Sequence, residues 1–155
     1  MNKPQWNSKL RANGFTLIEL MIAAAVVAIL AALALASYQR QTQQSRRTDA
    51  RGALLSIAGR EEKLKSVTNA YSNIPTNVGY TGPVGGPFVV GSGYYNVTIQ
   101  VPDPTQAPVT PTTYLLTATA IGLQAGDTAC ATLSVNQLGQ QTATGTGTAA
   151  TCWSN

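Results

Sequence analysis

Between Phe15 and Ala36 the chain runs for 22 residues with a single charge, Glu19, and this stretch constrains the fold more than any other. As a helix rising about 1.5 Å per residue it is long enough to cross a bilayer. A carboxylate in such a helix costs roughly 3 kcal/mol at mid-membrane and less near an end. Glu19 lies near the start of the run and asks for a partner that arrives later. A free amine at Phe15 suits this need, if the chain is cut after Gly14.

Helical periodicity continues past the apolar run. Ala50, Leu54, Ile57, Leu64 and Val67 recur on one helical face, with Glu61 interrupting it. Glu61 and Lys65 stand in the favourable i, i+4 order. No proline occurs between Gln5 and Ile74. One helix is therefore expected from about Phe15 to Val67, apolar all round in its first half and amphipathic in its second. Gly52 and Gly59 in the second half either permit close packing or only weaken the helix.

Tyr71–Gly93 reads as a loop, punctuated by Pro75, Gly79, Gly82-Pro83 and Gly85-Gly86-Pro87. Alternation then predicts strands at Tyr95–Val101, Thr113–Ile121 and Ala129–Asn136, and a turn at Leu138-Gly139 leads to a short fourth strand near Gln140–Thr144. Tyr114, Leu116, Ala118 and Ala120 share one face of the second, and Ala131, Leu133 and Val135 one face of the third. Pro102–Pro111 is a proline-rich connector. The Gly/Thr/Ala stretch ending at Thr151 is expected to be loose. The sum is an α+β chain, with a long helix packed on a small antiparallel sheet of about four strands.

The cluster Gly14-Phe15-Thr16-Leu17-Ile18-Glu19-Leu20-Met21-Ile22, resumed at Tyr38-Gln39, resembles the type IV pilins. The resemblance implies a leader at 1–14, cleaved after Gly14 by a prepilin peptidase that methylates the new amine of Phe15. It implies an assembly helix at 15–36, with Glu19 as the fifth mature residue, and a periplasmic head at 37–155. A weaker likeness continues at Arg46-Arg47-Thr48-Asp49-Ala50, at Ala53-Leu54-Leu55, and at Asp127–Leu133 with Cys152-Trp153. These favour a PilE-type minor pilin. Where the family commonly has Gly and Pro, this chain has Ala28 and Ala36. Ala is the better helix former by about 1 and 3 kcal/mol respectively.

The competing reading is an ordinary secretory signal, with Lys3, Lys9 and Arg11 as its basic region and Ala34-Leu35-Ala36 as its cut site. The apolar run exceeds the usual 7–15 residues of such signals, and Glu19 has no place in one. A mature chain starting at Phe15 or at Ser37 separates the two.

Composition narrows the function. The formal charge of +4 comes from ten basic and six acidic residues. Without Lys3, Lys9 and Arg11, seven basic residues remain against six acids, a formal +1, which gives no general attraction to nucleic acid. Arg46, Arg47 and Arg51 form the one basic cluster. They are candidates for DNA or subunit contact, or they are a solvated helix face. No aromatic residue lies between Tyr38 and Tyr71 to stack on bases. Cys130 and Cys152 both fall in the exported part, where an even count favours a disulfide over two free thiols. The chain has no His and no third Cys, so no metal, cofactor or catalytic site is expected.

The expected function is thus a structural pilus subunit. It is held first in the inner membrane and then in a surface fibre, with other pilin subunits as partners. Twitching motility, adhesion and DNA uptake are the activities implied by resemblance. Two alternatives stand beside it. One is a type II secretion pseudopilin, for which only Asp103 and Asp127 could offer carboxylates to calcium. The other is a membrane-anchored binding module that never polymerises, which has no use for Glu19.

Overall fold

The computed structural model describes residues 14–102 and 112–154. The leader basics Lys3, Lys9 and Arg11, and most of the Pro102–Pro111 connector with Asp103, lie outside these residues. Helix α1 runs Leu17–Thr68 without a break, close to the span read from periodicity. Thr16 caps its start: the Glu19 amide donates to Thr16 Oγ1 at 3.3 Å. Asn69, with a φ of 58°, turns the chain out of the helix at its far end.

The chain divides into two compact units, Met1–Gln39 and Arg40–Asn155. In the first, α1 is long and apolar enough to cross a membrane, and no part of its apolar window is buried. Leu17, Ile18, Leu20, Met21, Ile22, Ile29, Leu30, Leu33 and Leu35 are all exposed. A helix with this surface needs lipid or other helices around it.

The second unit has one hydrophobic core. Among the described residues five strands follow α1: β1 (Phe88–Val90), β2 (Tyr95–Gln100), β3 (Leu115–Ala120), β4 (Thr132–Asn136) and β5 (Gln141–Thr144). They pair antiparallel in sequence order, β1-β2-β3-β4-β5. Val97 faces Phe88 on one side and Ala118 on the other, and Ala118 faces Leu133. This register sets Phe88, Val97, Ala118 and Leu133 in one row, with Ile99, Leu116 and Val135 in the next. Ala50, Leu54 and Ile57 of α1 belong to the same core. Each of the large aliphatic side chains stabilises the fold by about 1.5–3 kcal/mol on burial.

Four expectations need correction. The sheet has five strands rather than about four. β1 was hidden in the Tyr71–Gly93 loop, because three residues between Pro87 and Gly91 are too few to show alternation. A 3-10 turn, Pro75–Val78, also interrupts that loop. Val67 is 80% exposed, beyond the reach of the sheet, so the buried face of α1 ends earlier than predicted. Glu61 is fully buried on that face and accepts the Ser72 amide at 3.0 Å rather than pairing with Lys65. Lys65 turns to Tyr71 instead, with Nζ donating to its hydroxyl at 3.1 Å. Finally, the Gly/Thr/Ala tail is ordered. Its residues Ala149–Trp153 form a short helix, α2, with a Thr148/Thr151 capping box. Gly52 and Gly59 are exposed with nothing near a would-be Cβ, so neither serves close packing.

Candidate functional site

The predicted site residues fall into three places, two of them in the head. At the N-terminal end, Gly14 and Phe15 are exposed and precede α1. Thr16 fixes where the helix begins, so Glu19 sits in its first turn, where a carboxylate is favoured by the helix dipole. The Thr16-x-x-Glu19 spacing is the signature of a capping box and could have placed the start of α1 from sequence.

The three arginines of α1 are not equivalent. The Arg47 guanidinium clasps Asp127 through two hydrogen bonds, Nε to Oδ2 and Nη2 to Oδ1, each 2.6 Å. This bidentate pair raises the Arg47 pKa above its ordinary value through the hydrogen bond to Asp127, against the opposing effect of burial. Gln124 completes the network: its Nε2 donates to Asp127 Oδ2 at 2.9 Å and to the Tyr95 hydroxyl at 3.2 Å. Burial pushes the Tyr95 pKa up and keeps that hydroxyl protonated. Arg51 is buried, and its Nη1 donates to the carbonyls of Trp153 at 2.5 Å and Ser154 at 2.7 Å. Arg46 lies over the Tyr94 ring, 3.6 Å from its centre. Arg47 and Arg51 therefore hold the head together, whereas the sequence offered them as DNA or subunit contacts or as a solvated helix face. Arg46 does have an aromatic partner, supplied by the turn between β1 and β2, where sequence proximity could not show it. Asp127 is committed to Arg47 and Gln124, which removes it from the pair of carboxylates considered for calcium.

At the far end, Cys130 and Cys152 form a disulfide. It ties α2 to the chain just ahead of β4, and both cysteines are buried. Gly145 makes this return possible: its φ is 134°, and a side chain there would collide with the carbonyls of Thr128 and Ala129.

Among the described residues no group of His, Cys, Asp or Glu could hold a metal. What remains is a head built for cohesion and, in the other unit, an apolar helical segment. Residues 9–35 match a family model described as the prokaryotic N-terminal methylation motif. Residues 36–134 match the model described as "Type IV minor pilin ComP, DNA uptake sequence receptor". The chain belongs to the ComP family of type IV minor pilins. This pilin is a structural protein and not an enzyme. Its helix-on-sheet architecture is shared with the high-resolution structure of a type IV pilin from Shewanella oneidensis. That match has a TM-score of 0.50 and 23% identity, over 73% of this chain and 99% of the other. Over 70 residues the pilin is 33% identical to the type IV major pilin protein PilA of Myxococcus xanthus (strain DK1622). That stretch is 45% of this chain and 32% of PilA, so the chain spans about a third of the relative it matches.

Proposed function

We propose that this minor pilin is cleaved after Gly14, methylated on Phe15, and inserted through residues 15–36 into the inner membrane with its head in the periplasm. From there it enters a surface pilus, where Glu19 pairs with the Phe15 amine of a neighbouring subunit, and the pilus takes up DNA. The observation that carries this reading is the continuity of two matches: the methylation motif at 9–35 runs directly into the ComP model at 36–134. The likeness to PilE-type minor pilins at Asp127–Leu133 and Cys152-Trp153 supports a minor rather than a major role.

DNA contact draws on α1, because no Lys or Arg follows Lys65. With Arg47 and Arg51 engaged inside the head, phosphate contact is assigned to Arg46, Arg60 and Lys63; Arg40 of α1 is exposed as well. Arg46 and Arg60 are fourteen residues apart and fall on the same border of the buried face of α1, about 21 Å apart along its axis. Arg46 presents its charge together with the Tyr94 ring, a combination suited to nucleic acid. Arg60 Nη1 donates to the Val78 carbonyl at 2.9 Å, and Gly79 leaves the room for its guanidinium to lie there. Lys63 is exposed beside it.

The test is deletion and complementation in the source organism. Loss of labelled-DNA uptake with normal pilus number is expected, together with a methylated Phe15 at the mature N-terminus. Normal uptake in the deletion strain would refute the DNA role, and a mature chain starting at Ser37 would refute the processing.

A further inference from the structure

A 3-10 turn, Gly122–Gly126, joins β3 to β4, and its Leu123 is 76% exposed. A single exposed leucine is ordinary on a protein surface. What sets this one apart is where it lies.

The turn sits at the end of the head from which α1 runs into the apolar segment. Gln124, next to Leu123, donates from Nε2 to the Gln43 carbonyl at 3.4 Å. Ile121, just ahead of the turn, donates its amide to the Tyr94 carbonyl at 2.9 Å. Tyr94 in turn lies under Arg46. Arg40 is exposed, three residues before Gln43 and four after Ala36. Four residues of helix rise about 6 Å, and the headgroup layer on each side of a bilayer is roughly 5–7 Å deep. With residues 15–36 in the membrane, Arg40 therefore reaches lipid phosphates, and Gln43 follows only about 5 Å further along the helix.

The rest of the turn fits this setting. Gly122, Ala125 and Gly126 are exposed and uncharged. Of the acids nearby, Asp127 is buried against Arg47, and Asp49 accepts the Ser92 hydroxyl at 2.9 Å. Leucine, tyrosine and arginine suit the three depths of a lipid interface. The first enters the acyl boundary, the second favours headgroup level, and the third binds phosphate.

We propose that, before assembly, the Gly122–Gly126 turn rests on the periplasmic headgroup layer of the inner membrane, with Leu123 dipping into it and Arg40 holding lipid phosphates. This rests on the membrane insertion proposed above and goes beyond it, because insertion alone leaves the head free to stand clear of the bilayer. Docking limits the orientations that the waiting subunit can take.

The experiment places the full isotope-labelled chain in nanodiscs of phosphatidylcholine and phosphatidylglycerol that include a lipid with a paramagnetic headgroup. Amide broadening then reports nearness to the headgroups. Leu123 is expected to broaden strongly. Leu138, 69% exposed in the turn at the other end of β4, is the internal control and should stay sharp. Leu123→Asp should lower the docked-to-free ratio at least about tenfold, since the buried leucine is lost. Arg40→Gln should lower it about fivefold, and less in phosphatidylcholine alone. If Leu123→Asp disturbs the β3 and β4 amides, Leu123→Ser replaces it. Equal broadening of Leu123 and Leu138 in inserted chains, or a Leu123→Asp variant that docks like the parent, would overturn the proposal and leave insertion standing. Loss of Leu123→Asp from pili, with no broadening in the parent, would assign the turn to a neighbouring subunit instead. A chain that never enters the discs would refute the insertion reading, and this proposal with it.

Discussion

Arg47 Nε lies 2.6 Å from Asp127 Oδ2, although 80 positions separate the two residues in the chain. The pair fastens α1 to the segment between β3 and β4, where side-chain burial leaves Asp127 only 2% exposed and Arg47 15%. Asp127→Asn strands a guanidinium that water reaches only in part. The expected loss is about 2–3 kcal/mol of stability, read as a lower urea midpoint at unchanged slope. An unchanged midpoint would show that the pair contributes nothing.

Glu61 gives a pH dependence of opposite sign to the usual carboxylate. Burial raises its pKa, partly offset by the hydrogen bond from the Ser72 amide, with Glu62 adding a smaller upward effect. Its Oε1 is buried with no hydrogen-bond partner. A folded pKa above the unfolded one means that the folded chain holds a proton which the unfolded chain releases. Stability from this group is therefore greatest below the unfolded pKa of about 4.3 and declines as pH rises to the folded value. Glu61→Gln is expected to stabilise the head by about 1 kcal/mol at pH 7 and to flatten the profile between pH 4 and 7. Denaturation curves across that range check it, and a variant less stable than the parent at pH 7 would contradict it.

Glu19→Ala should impair fibre assembly and leave membrane insertion intact. Removing one member of a buried pair typically costs about 3–5 kcal/mol, because the other charge is stranded. The helix becomes more apolar, so insertion gains. Comparing sheared fibres with membrane fractions separates the two effects. Equal incorporation of the variant would remove Glu19 from its assembly role.

The helix between Ala28 and Ala36 should remain continuous in the assembled pilus. The intervening Ile29-Leu30-Ala31-Ala32-Leu33-Ala34-Leu35 is composed almost wholly of strong helix formers. In a bundle poor in water, broken backbone hydrogen bonds would need new partners. A fibre reconstruction with non-helical backbone in this window would refute the expectation.

DNA binding should follow the border of α1. Arg60→Ala/Lys63→Ala is expected to reduce the salt slope of binding by about 2, one unit for each lost phosphate contact. Arg51→Ala should leave the slope unchanged, because that guanidinium is spent on backbone carbonyls of the tail. Titrations at several salt concentrations measure both. A slope that falls with Arg51 and not with Arg60 and Lys63 would reverse the assignment.

Local signals carried the long-range architecture further than they carried the details. The uninterrupted helix, the alternation of β2 to β4, the turn ahead of β5 and the inward faces of Leu116, Ala118, Leu133 and Val135 were all legible. These patterns depend on neighbours two to four residues away. β1 was missed because three residues cannot display a period, and α2 because five residues in a Gly/Thr/Ala stretch are too few to show one and its Thr148/Thr151 capping box lacks the usual Glu or Gln at the third position. At the site, the motif around Glu19 was plain, whereas the roles of the arginines were not.

The sequence by itself determined that the chain carries an apolar helix with one carboxylate near its start, a mixed head behind it and a pair of cysteines for cross-linking. Hydrophobic length, charge position and residue counts are properties of the chain read in one dimension. Only the tertiary structure decided that Arg47 belongs to Asp127, Arg51 to the Trp153 and Ser154 carbonyls, and Arg46 to Tyr94. It also decided that Glu61 lies inside the head. Those pairings depend on distance in space between residues far apart in the chain, and a side chain's charge leaves its partner unspecified until packing brings one donor and one acceptor together.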